Sequence, residues 1–342
     1  MSTVANHSNQ VNDEGRGRHA DRPADIPKRG WWDITMRVKR SLDQDNVSLV
    51  ASGLALYALL AVFPALAAAV SIYGLFASPQ EISQHLQTLG GMLPEDAMRI
   101  LNQQLSQLSS RGQETLSVGV VIGILIALWS ARKGMTALMA ATNIAYNEQE
   151  ERGFFKQIVV SSTFTIGAVV GFLVVLSLTV AIPIVLHALP LGQLAEILIL
   201  ALRWALLWLV AVAGLAVVYR YAPDREKARW HWITPGSAIA ASLWLAGGLL
   251  FAVYVRNWGS YGETYGALGG VIVLLMWFYL SGYIIILGAV INSVLERQTV
   301  KVTSEGSEKP SGQRGAFSAV TIGPASDGQR ENPGKPPRPA NR

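Results

Sequence analysis

Ser260-Tyr-Gly-Glu-Thr-Tyr-Gly-Ala-Leu-Gly-Gly270 is a short polar and aromatic stretch between two long apolar runs. The run before it extends from Ala238 to Val255, and the longer run after it extends from Val271 to Val290. An apolar run of about 20 residues is long enough to cross a hydrocarbon core roughly 30 Å thick. The stretch therefore predicts the tip of a helical hairpin in a bilayer.

The composition is that of a chain whose main solvent is lipid. Of the 342 residues, 51% are hydrophobic and 15% are charged, and the mean hydropathy is +0.31. Soluble domains have about 25% charged residues. The sequence contains no cysteine, which excludes disulfides and thiolate metal sites. We expect an all-α fold, a polytopic membrane helical bundle.

The hydrophobic pattern predicts six transmembrane helices in a membrane domain of residues 30–296. Their expected bounds are about 47–76, 116–140, 158–189, 193–219, 235–257 and 264–295. Residues 1–29 are polar, and residues 297–342 are rich in Ser, Gly, Pro and charge. Such compositions do not bury enough apolar surface to fold, so both segments are predicted to be disordered cytoplasmic tails.

Two segments outside the spans are predicted to form amphipathic helices. Trp31, Ile34, Val38 and Leu42 recur at helical spacing, with Lys and Arg residues between them. This helix either lies on the inner membrane surface or packs on the bundle as a cytosolic helix. Residues 78–111 contain two further amphipathic patterns, which we expect on the outer side of the membrane.

The distribution of positive charge predicts the orientation of the spans. Of the 28 Lys and Arg residues, 24 lie in the two terminal segments and in the connections after the second and fourth spans. Six spans put these four segments on one side of the membrane, and the positive-inside rule makes it the cytoplasmic side. We therefore expect both termini in the cytoplasm and the stretch 260–270 on the outer side.

Two charged residues of the predicted fourth span are candidates for a substrate path. Arg203 lies about ten residues after Gln193, roughly 15 Å along a helix axis, which approaches the middle of the bilayer. A charge at that depth is costly and suggests a functional site. Glu196 lies two turns before Arg203 on the same face and can pair with it. If the helix begins deeper, Arg203 instead reaches the outer interface and acts as an anchor.

Five further residues are candidates for a path or for helix packing. Pro64 lies inside the first span and predicts a kink, which serves either packing or a hinge. Asn292 lies near the end of the last span, where helix capping and helix contacts are the alternative role. The outer turn contains Tyr261, Glu263 and Tyr265, which face either the mouth of a cavity or solvent.

No sequence pattern predicts catalysis. HxxxH, HExxH, GxSxG and DxD motifs in a suitable context are missing, and the five histidines are scattered. Gly262 and Gly266 form only a small-residue spacing, which is not a phosphate-binding loop. We therefore expect a protein that is not an enzyme and that binds no cofactor and no metal.

Several segments form an ordered set of motifs along the chain. They are Ala51-Ser-Gly-Leu-Ala-Leu-Tyr-Ala-Leu-Leu-Ala-Val-Phe-Pro64, Trp129-Ser-Ala-Arg-Lys-Gly-Met-Thr-Ala-Leu-Met139, Tyr219-Arg-Tyr-Ala-Pro-Asp-Arg225, Trp232-Ile-Thr-Pro-Gly236, the block from Ser260 to Leu280, and Gly288-Ala-Val-Ile-Asn292. Together they resemble the YihY / BrkB family, from about Arg37 to Glu296. The chain departs from that family at Val290-Ile291, where an acidic residue is expected, and this weakens any proposal of a shared carboxylate site.

This resemblance implies a multi-pass protein of the bacterial plasma (inner) membrane with six spans. The family carries a ribonuclease BN label and a virulence-factor label, so it implies a role only weakly. A ribonuclease of that kind needs a metal-binding His/Asp cluster on a soluble domain, and these residues provide neither.

The leading functional hypothesis is a transporter or exporter of unknown substrate, because interrupted helices and buried charges line the paths of transporters. The alternative is a non-transporting envelope or scaffold protein that binds lipid or protein partners, and a membrane-associated ribonuclease comes third. Membrane lipids are the expected partners, and nucleic acid is not. Small-residue faces are compatible with a homo-oligomer.

Overall fold

The protein is described by a computed structural model that covers residues 15–73, 113–188, 192–258 and 267–299. In these ranges the chain forms seven α-helices and one short 3-10 helix, and no strand. The helices are α1 Lys28–Gln44, α2 Val47–Tyr73, α3 Gln113–Tyr146, α4 Phe154–Ala188, α5 Gln193–Tyr221, α6 Trp230–Trp258 and α7 Ala267–Glu296. The all-α prediction is confirmed for this part of the chain.

Four of these helices contain a stretch that is long and apolar enough to cross a membrane. The stretches are Phe154–Val175, Ile197–Tyr221, Trp230–Asn257 and Leu268–Glu296. A fifth arises if α1 and the stretch Val47–Val62 of α2, which meet at a bend of 62°, are taken together. The chain is therefore a multi-pass membrane protein. The count of six spans and the cytoplasmic position of both termini stay predictions.

Both helices of the hairpin expected around residues 260–270 are present. α6 ends at Trp258, α7 begins at Ala267, and the two helices pack along each other. Residues 259–266, which include the turn, lie outside the described residues, as does the amphipathic segment 78–111.

α7 is the central helix of the bundle, since it packs against α1, α2, α3 and α6. Ile286, Ala289, Val290 and Leu295 are all fully buried along its second half. A helix that buries apolar residues on several faces is expected to lie inside a bundle rather than at its edge. α4, in contrast, packs mainly against α3 and α5, and many of its large apolar side chains are exposed.

α1 packs against α7 and α2 as part of the bundle. Ile34 and Asp33 are almost fully buried, and Arg37 is buried although the amphipathic pattern placed the cations on an outward face. Arg37 Nη2 donates to Oε1 of Gln298, just beyond α7. Of the two arrangements that the sequence left open for this helix, the structure has the packed one.

The segment before α1 is also packed, although residues 1–29 were expected to form a disordered tail. Arg16 Nη1 forms a 2.8 Å ion pair with Asp33, and its backbone carbonyl accepts a 2.6 Å hydrogen bond from Gln298 Nε2. Thr299 Oγ1 donates to the carbonyls of Arg18 and Ala20. From residue 15 onward the segment therefore belongs to the folded domain, because Gln298 and Thr299 supply partners for its backbone. The start of the segment 297–342, also expected to be disordered, is likewise packed up to Thr299.

α6 begins at Trp230, earlier than the helix start expected at Thr234-Pro235. The hydroxyl of Thr234 donates to the carbonyl of Trp230 at 2.8 Å, a bond within the helix rather than a cap. Pro235 consequently lies inside the helix. A helix tolerates proline there only if neighbouring groups satisfy the backbone atoms that it disturbs.

Candidate functional site

A buried ion pair joins the end of α7 to the connection between α5 and α6. Arg225 Nη1 and Nη2 donate to the two carboxylate oxygens of Glu296 at 2.7 and 2.9 Å. Each of the two side chains is only 1% exposed. A guanidinium that meets a carboxylate through two parallel bonds forms a strong and directional pair. The pair therefore fixes the α5–α6 connection on α7.

Tyr146, the last residue of α3, closes the other side of Arg225. Its buried ring lies against the guanidinium, with Arg225 Cζ 3.9 Å from the ring centroid. Burial lowers the pKa of Arg225, but Glu296, Tyr146 and Glu148 together outweigh burial and raise this pKa above its usual range. Arg225 is therefore a buried cation held by a carboxylate and an aromatic face.

Asn292, a candidate from the sequence, lies one turn before Glu296 and joins α7 to α6. Its Oδ1 accepts a 2.8 Å hydrogen bond from the backbone N–H of Gly236. Gly236 follows Pro235, whose ring disturbs the hydrogen-bond ladder of a helix. Asn292 is fully buried, so this bond satisfies a backbone donor that water does not reach. The contact gives Asn292 a role in helix packing.

Asn292→Ala is expected to destabilise the protein by about 1–3 kcal/mol, because it leaves the N–H of Gly236 buried without its acceptor. Unfolding in mixed detergent micelles measures the change. Ser52→Ala is the matched control, since the Ser52 side chain is exposed and bonds only to its own helix. Equal stability of the two variants would contradict the packing role of Asn292.

A second polar network holds the connection after α3 against the connection after α5. The backbone N–H of Asp224 donates to Asn143 Oδ1 at 2.8 Å, and Arg152 Nε donates to Asp224 Oδ1 at 3.1 Å. Arg152 Nη2 also donates to the carbonyl of Ala222 at 2.9 Å. The two connections thus form one polar surface at this end of the bundle.

A groove of about 1300 Å³ extends from this surface along α4, α5, α6 and α7, with a small part of α3. It is only partly enclosed, and most of its wall is apolar. On α4 its lining residues lie between 156 and 175, on α5 between 210 and 221, and on α7 between 277 and 285. Pockets for small molecules usually measure about 300–1000 Å³, so this groove has room for a large ligand.

Three glycines of the groove wall face open space. A Cβ atom added at Gly167 or Gly171 of α4, or at Gly214 of α5, would meet no atom within 4 Å. Glycines spaced four apart in membrane helices usually allow a second helix to approach closely. Here the described residues place no helix against them. Their effect is to widen the groove.

One end of the groove is charged. Its lining there contains the basic residues Arg152, Lys156, Arg220, Arg225 and Lys227, with Asp224 as the acidic residue. Arg152 lies just before α4 and Lys156 in its first turn, and the other four lie at and after the end of α5. The rest of the groove is lined mainly by Val, Gly, Ala, Ile and aromatic side chains. The groove therefore has one polar end and a long apolar part.

Of the predicted path residues, the structure describes the side chains of Arg203 and Asn292. The Arg203 guanidinium carbon lies 5.7 Å from the ring of its neighbour Trp204, and Arg203 does not line the groove, which on α5 begins at Val210. Pro64 lies within α2, and the side chains of Pro64 and Glu196 are outside what the structure describes, as are Tyr261, Glu263 and Tyr265. Their role in a path stays a prediction.

Sequence reasoning missed the pairing of Arg225 with Glu296 and the groove itself. Arg225 ends one of the quoted motifs, and Glu296 ends the stretch that resembles the family. The two residue types were visible in the sequence, but their contact was not. Within the described ranges, no group of three or more His, Cys, Asp or Glu residues could hold a metal ion. The expectation of no metal stays a prediction.

The long apolar helices, the central α7 and the half-open groove define a polytopic α-helical membrane protein. A match to the family described as Virulence factor BrkB covers residues 38–313. The chain belongs to this BrkB family, as the sequence motifs predicted.

Several bacterial relatives are similar over most of their length. The ribonuclease-like protein YfkH of Bacillus subtilis (strain 168) is 33% identical over 256 residues, which cover 72% of this chain and 88% of YfkH. A UPF0761 membrane protein of Tolumonas auensis is 25% identical over 269 residues, covering 78% of this chain and 86% of the relative. Another UPF0761 membrane protein, from Idiomarina loihiensis, is 23% identical over 261 residues, covering 74% of this chain and 87% of the relative. No solved structure matches the chain.

Proposed function

We propose that the protein is a transporter whose substrate is an amphiphile, a molecule with one polar and one apolar end. The groove is the observation that supports this proposal, because it combines a long apolar wall with a charged end. Transporters bind their substrates between helices at membrane depth. An amphiphile matches both parts of the groove, whereas a small ion or sugar would leave the apolar wall without a partner.

The proposal places six spans in the inner membrane, with both termini in the cytoplasm. The connections after α3 and α5 supply the charged end of the groove, and they are rich in Lys and Arg. By the positive-inside rule this end lies at the cytoplasmic surface. A substrate then enters from the cytoplasm or the inner leaflet. The proposed role involves no enzymatic step, no cofactor and no nucleic acid.

Filling the groove tests the proposal. Gly171→Leu combined with Gly214→Leu puts two side chains into open space, so the fold is expected to remain. Transfer of NBD-labelled phospholipid between the leaflets of proteoliposomes is measured by dithionite quenching. We expect the variant to lower the transfer rate about tenfold, which corresponds to a barrier increase of about 1.4 kcal/mol.

Gly53→Leu is the matched control, because Gly53 of α2 is exposed, has open space around its Cβ position and lies outside the groove lining. It is expected to keep the wild-type rate. Arg203→Ala is a further arm, and a loss of transfer there would extend the path to the predicted residue. Wild-type protein that transfers no faster than protein-free liposomes would contradict transport and favour the scaffold alternative.

A further inference from the structure

We infer that the groove binds an anionic phospholipid, with the phosphate headgroup at the charged end and an acyl chain along the apolar wall. This inference rests on the proposed function for its groove and names the substrate class. Binding itself does not require transport, so the two proposals are separable by experiment.

Charge at the groove mouth favours an anionic headgroup. Arg225 is neutralised by Glu296, and Arg152 by Asp224, through the ion pairs described above. Lys156 and Lys227 are exposed and have no acidic partner among the described residues. Two cations at the mouth of an apolar groove attract a lipid phosphate, because each basic residue near a membrane surface adds to the binding of anionic lipid.

Arg152 offers a hydrogen-bond donor at the same place. Its side chain is 5% exposed, and its Nε and Nη2 are used by Asp224 and Ala222. Its Nη1 is buried and has no hydrogen-bond partner in the part of the chain that the structure describes. A phosphate oxygen is a suitable acceptor, since guanidinium groups bind phosphate with directional, charge-assisted hydrogen bonds.

Aromatic side chains mark the headgroup level at this end. The Arg220 guanidinium carbon lies 4.4 Å from the Trp230 ring and 5.4 Å from the Tyr221 ring. Lys227 Nζ lies 5.1 Å from the Tyr221 ring, and both aromatic residues are exposed. Trp and Tyr concentrate where the bilayer meets water. The cations of the groove mouth therefore lie at the depth of lipid phosphates.

Along α5 the length of the groove lining matches one leaflet, and along α4 the lining extends further, from Lys156 to Val175. On α5 the lining extends from Val210 to Tyr221, which is about 16 Å at 1.5 Å per residue. Half of a hydrocarbon core is roughly 15 Å. An acyl chain whose phosphate lies near Tyr221 would thus end near Val210. Free phosphate alone would leave this apolar wall unoccupied.

Native mass spectrometry of the delipidated protein in detergent tests the inference. The protein is titrated with phosphatidylglycerol or with phosphatidylcholine, and the apparent Kd of the first bound lipid is measured. Lys156→Gln combined with Lys227→Gln is expected to weaken phosphatidylglycerol binding about 30-fold, from two lost surface charges. It should change phosphatidylcholine binding little. The preference for the anionic lipid then disappears.

Lys39→Gln combined with Lys133→Gln is the matched control, because it removes two exposed lysines that lie outside the groove lining. It is expected to keep the wild-type preference. The groove-filling pair Gly171→Leu and Gly214→Leu should lose the bound lipid, which locates it in the groove.

Three results would overturn the inference. The first is that the wild-type protein binds phosphatidylglycerol and phosphatidylcholine equally well. The second is that the two pairs of lysine substitutions have equal effects on binding. The third is that inorganic phosphate competes fully with the lipid, which would mean that the acyl chain adds nothing to the binding. Selective lipid binding without leaflet-to-leaflet transfer would sustain this inference while contradicting the proposed transport. Transfer without a preference for anionic lipid would sustain the proposed transport while contradicting this inference.

Discussion

Glu296→Ala is expected to cost about 3–5 kcal/mol of folding free energy, because it leaves the guanidinium of Arg225 buried without its counter-charge. The pair is 1% exposed on both sides, so water cannot replace the lost carboxylate. Tyr146 does not replace it either, since a neutral ring offers only part of the attraction that a carboxylate provides. A single-domain protein has only about 5–15 kcal/mol of net stability, so this loss is large.

The comparison with a double variant separates the cost of an orphaned charge from the value of the pair. Arg225→Met combined with Glu296→Leu removes both charges and is expected to recover much of the stability lost in Glu296→Ala. Glu151→Ala is the control, because Glu151 is an exposed carboxylate in the connection after α3. It should change stability by less than about 1 kcal/mol. Equal losses of stability for Glu296→Ala and Glu151→Ala, measured by unfolding in mixed micelles, would contradict the prediction.

The long helices were predictable because each is specified locally. Apolar runs of sufficient length identify a helix whatever it packs against, and the predicted span 193–219 differs from α5, Gln193–Tyr221, by two residues at one end. α1 shows the limit of this reasoning. Its apolar stripe predicted a helix, but the stripe is the same for a helix on a membrane and for one packed on protein. The choice depended on partners at the end of α7, such as Gln298.

The site was not predictable because it depends on contacts between distant segments. Arg225 and Glu296 are 71 residues apart, and their pairing depends on how α6 and α7 bring the α5–α6 connection back to the end of α7. Glycine gives a second example. Gly167 and Gly288 look alike in the sequence, since each lies within an apolar helix. Gly167 faces the open groove, whereas Gly288 lies in a tight contact between helices.

Gly288→Ala is the second substitution with a large expected effect. A Cβ atom at Gly288 of α7 would collide with the Tyr219 hydroxyl and would lie 2.7 Å from Ala240 Cβ and 2.9 Å from the Gly236 carbonyl oxygen. Three different helix surfaces thus meet at this one position. Two of the colliding atoms belong to α6, and Tyr219 is fixed because its hydroxyl donates to the carbonyl of Ile285 at 2.7 Å.

Relief of this collision requires both α6 and the Tyr219 side chain to move away from α7. Movement of α6 stretches the hydrogen bond between Gly236 and Asn292, and movement of Tyr219 stretches its bond to Ile285. Overpacking of this kind costs about 1–3 kcal/mol or more. Alanine is a better helix former than glycine by about 1 kcal/mol, which offsets only part of the cost. Gly288→Ala is therefore expected to lower the melting temperature of the purified protein.

Gly214→Ala provides the matched comparison, because it makes the same chemical change in a helix where the new Cβ meets no atom within 4 Å. Only the gain in helix propensity remains there, so its melting temperature should equal or exceed that of the wild type. The two alanine substitutions are thus expected to shift stability in opposite directions. If both raised the melting temperature, the close contact of α6 and α7 at Gly288 would be absent from the folded protein. The space around Gly288 would then be as open as the space around Gly214 in the groove wall.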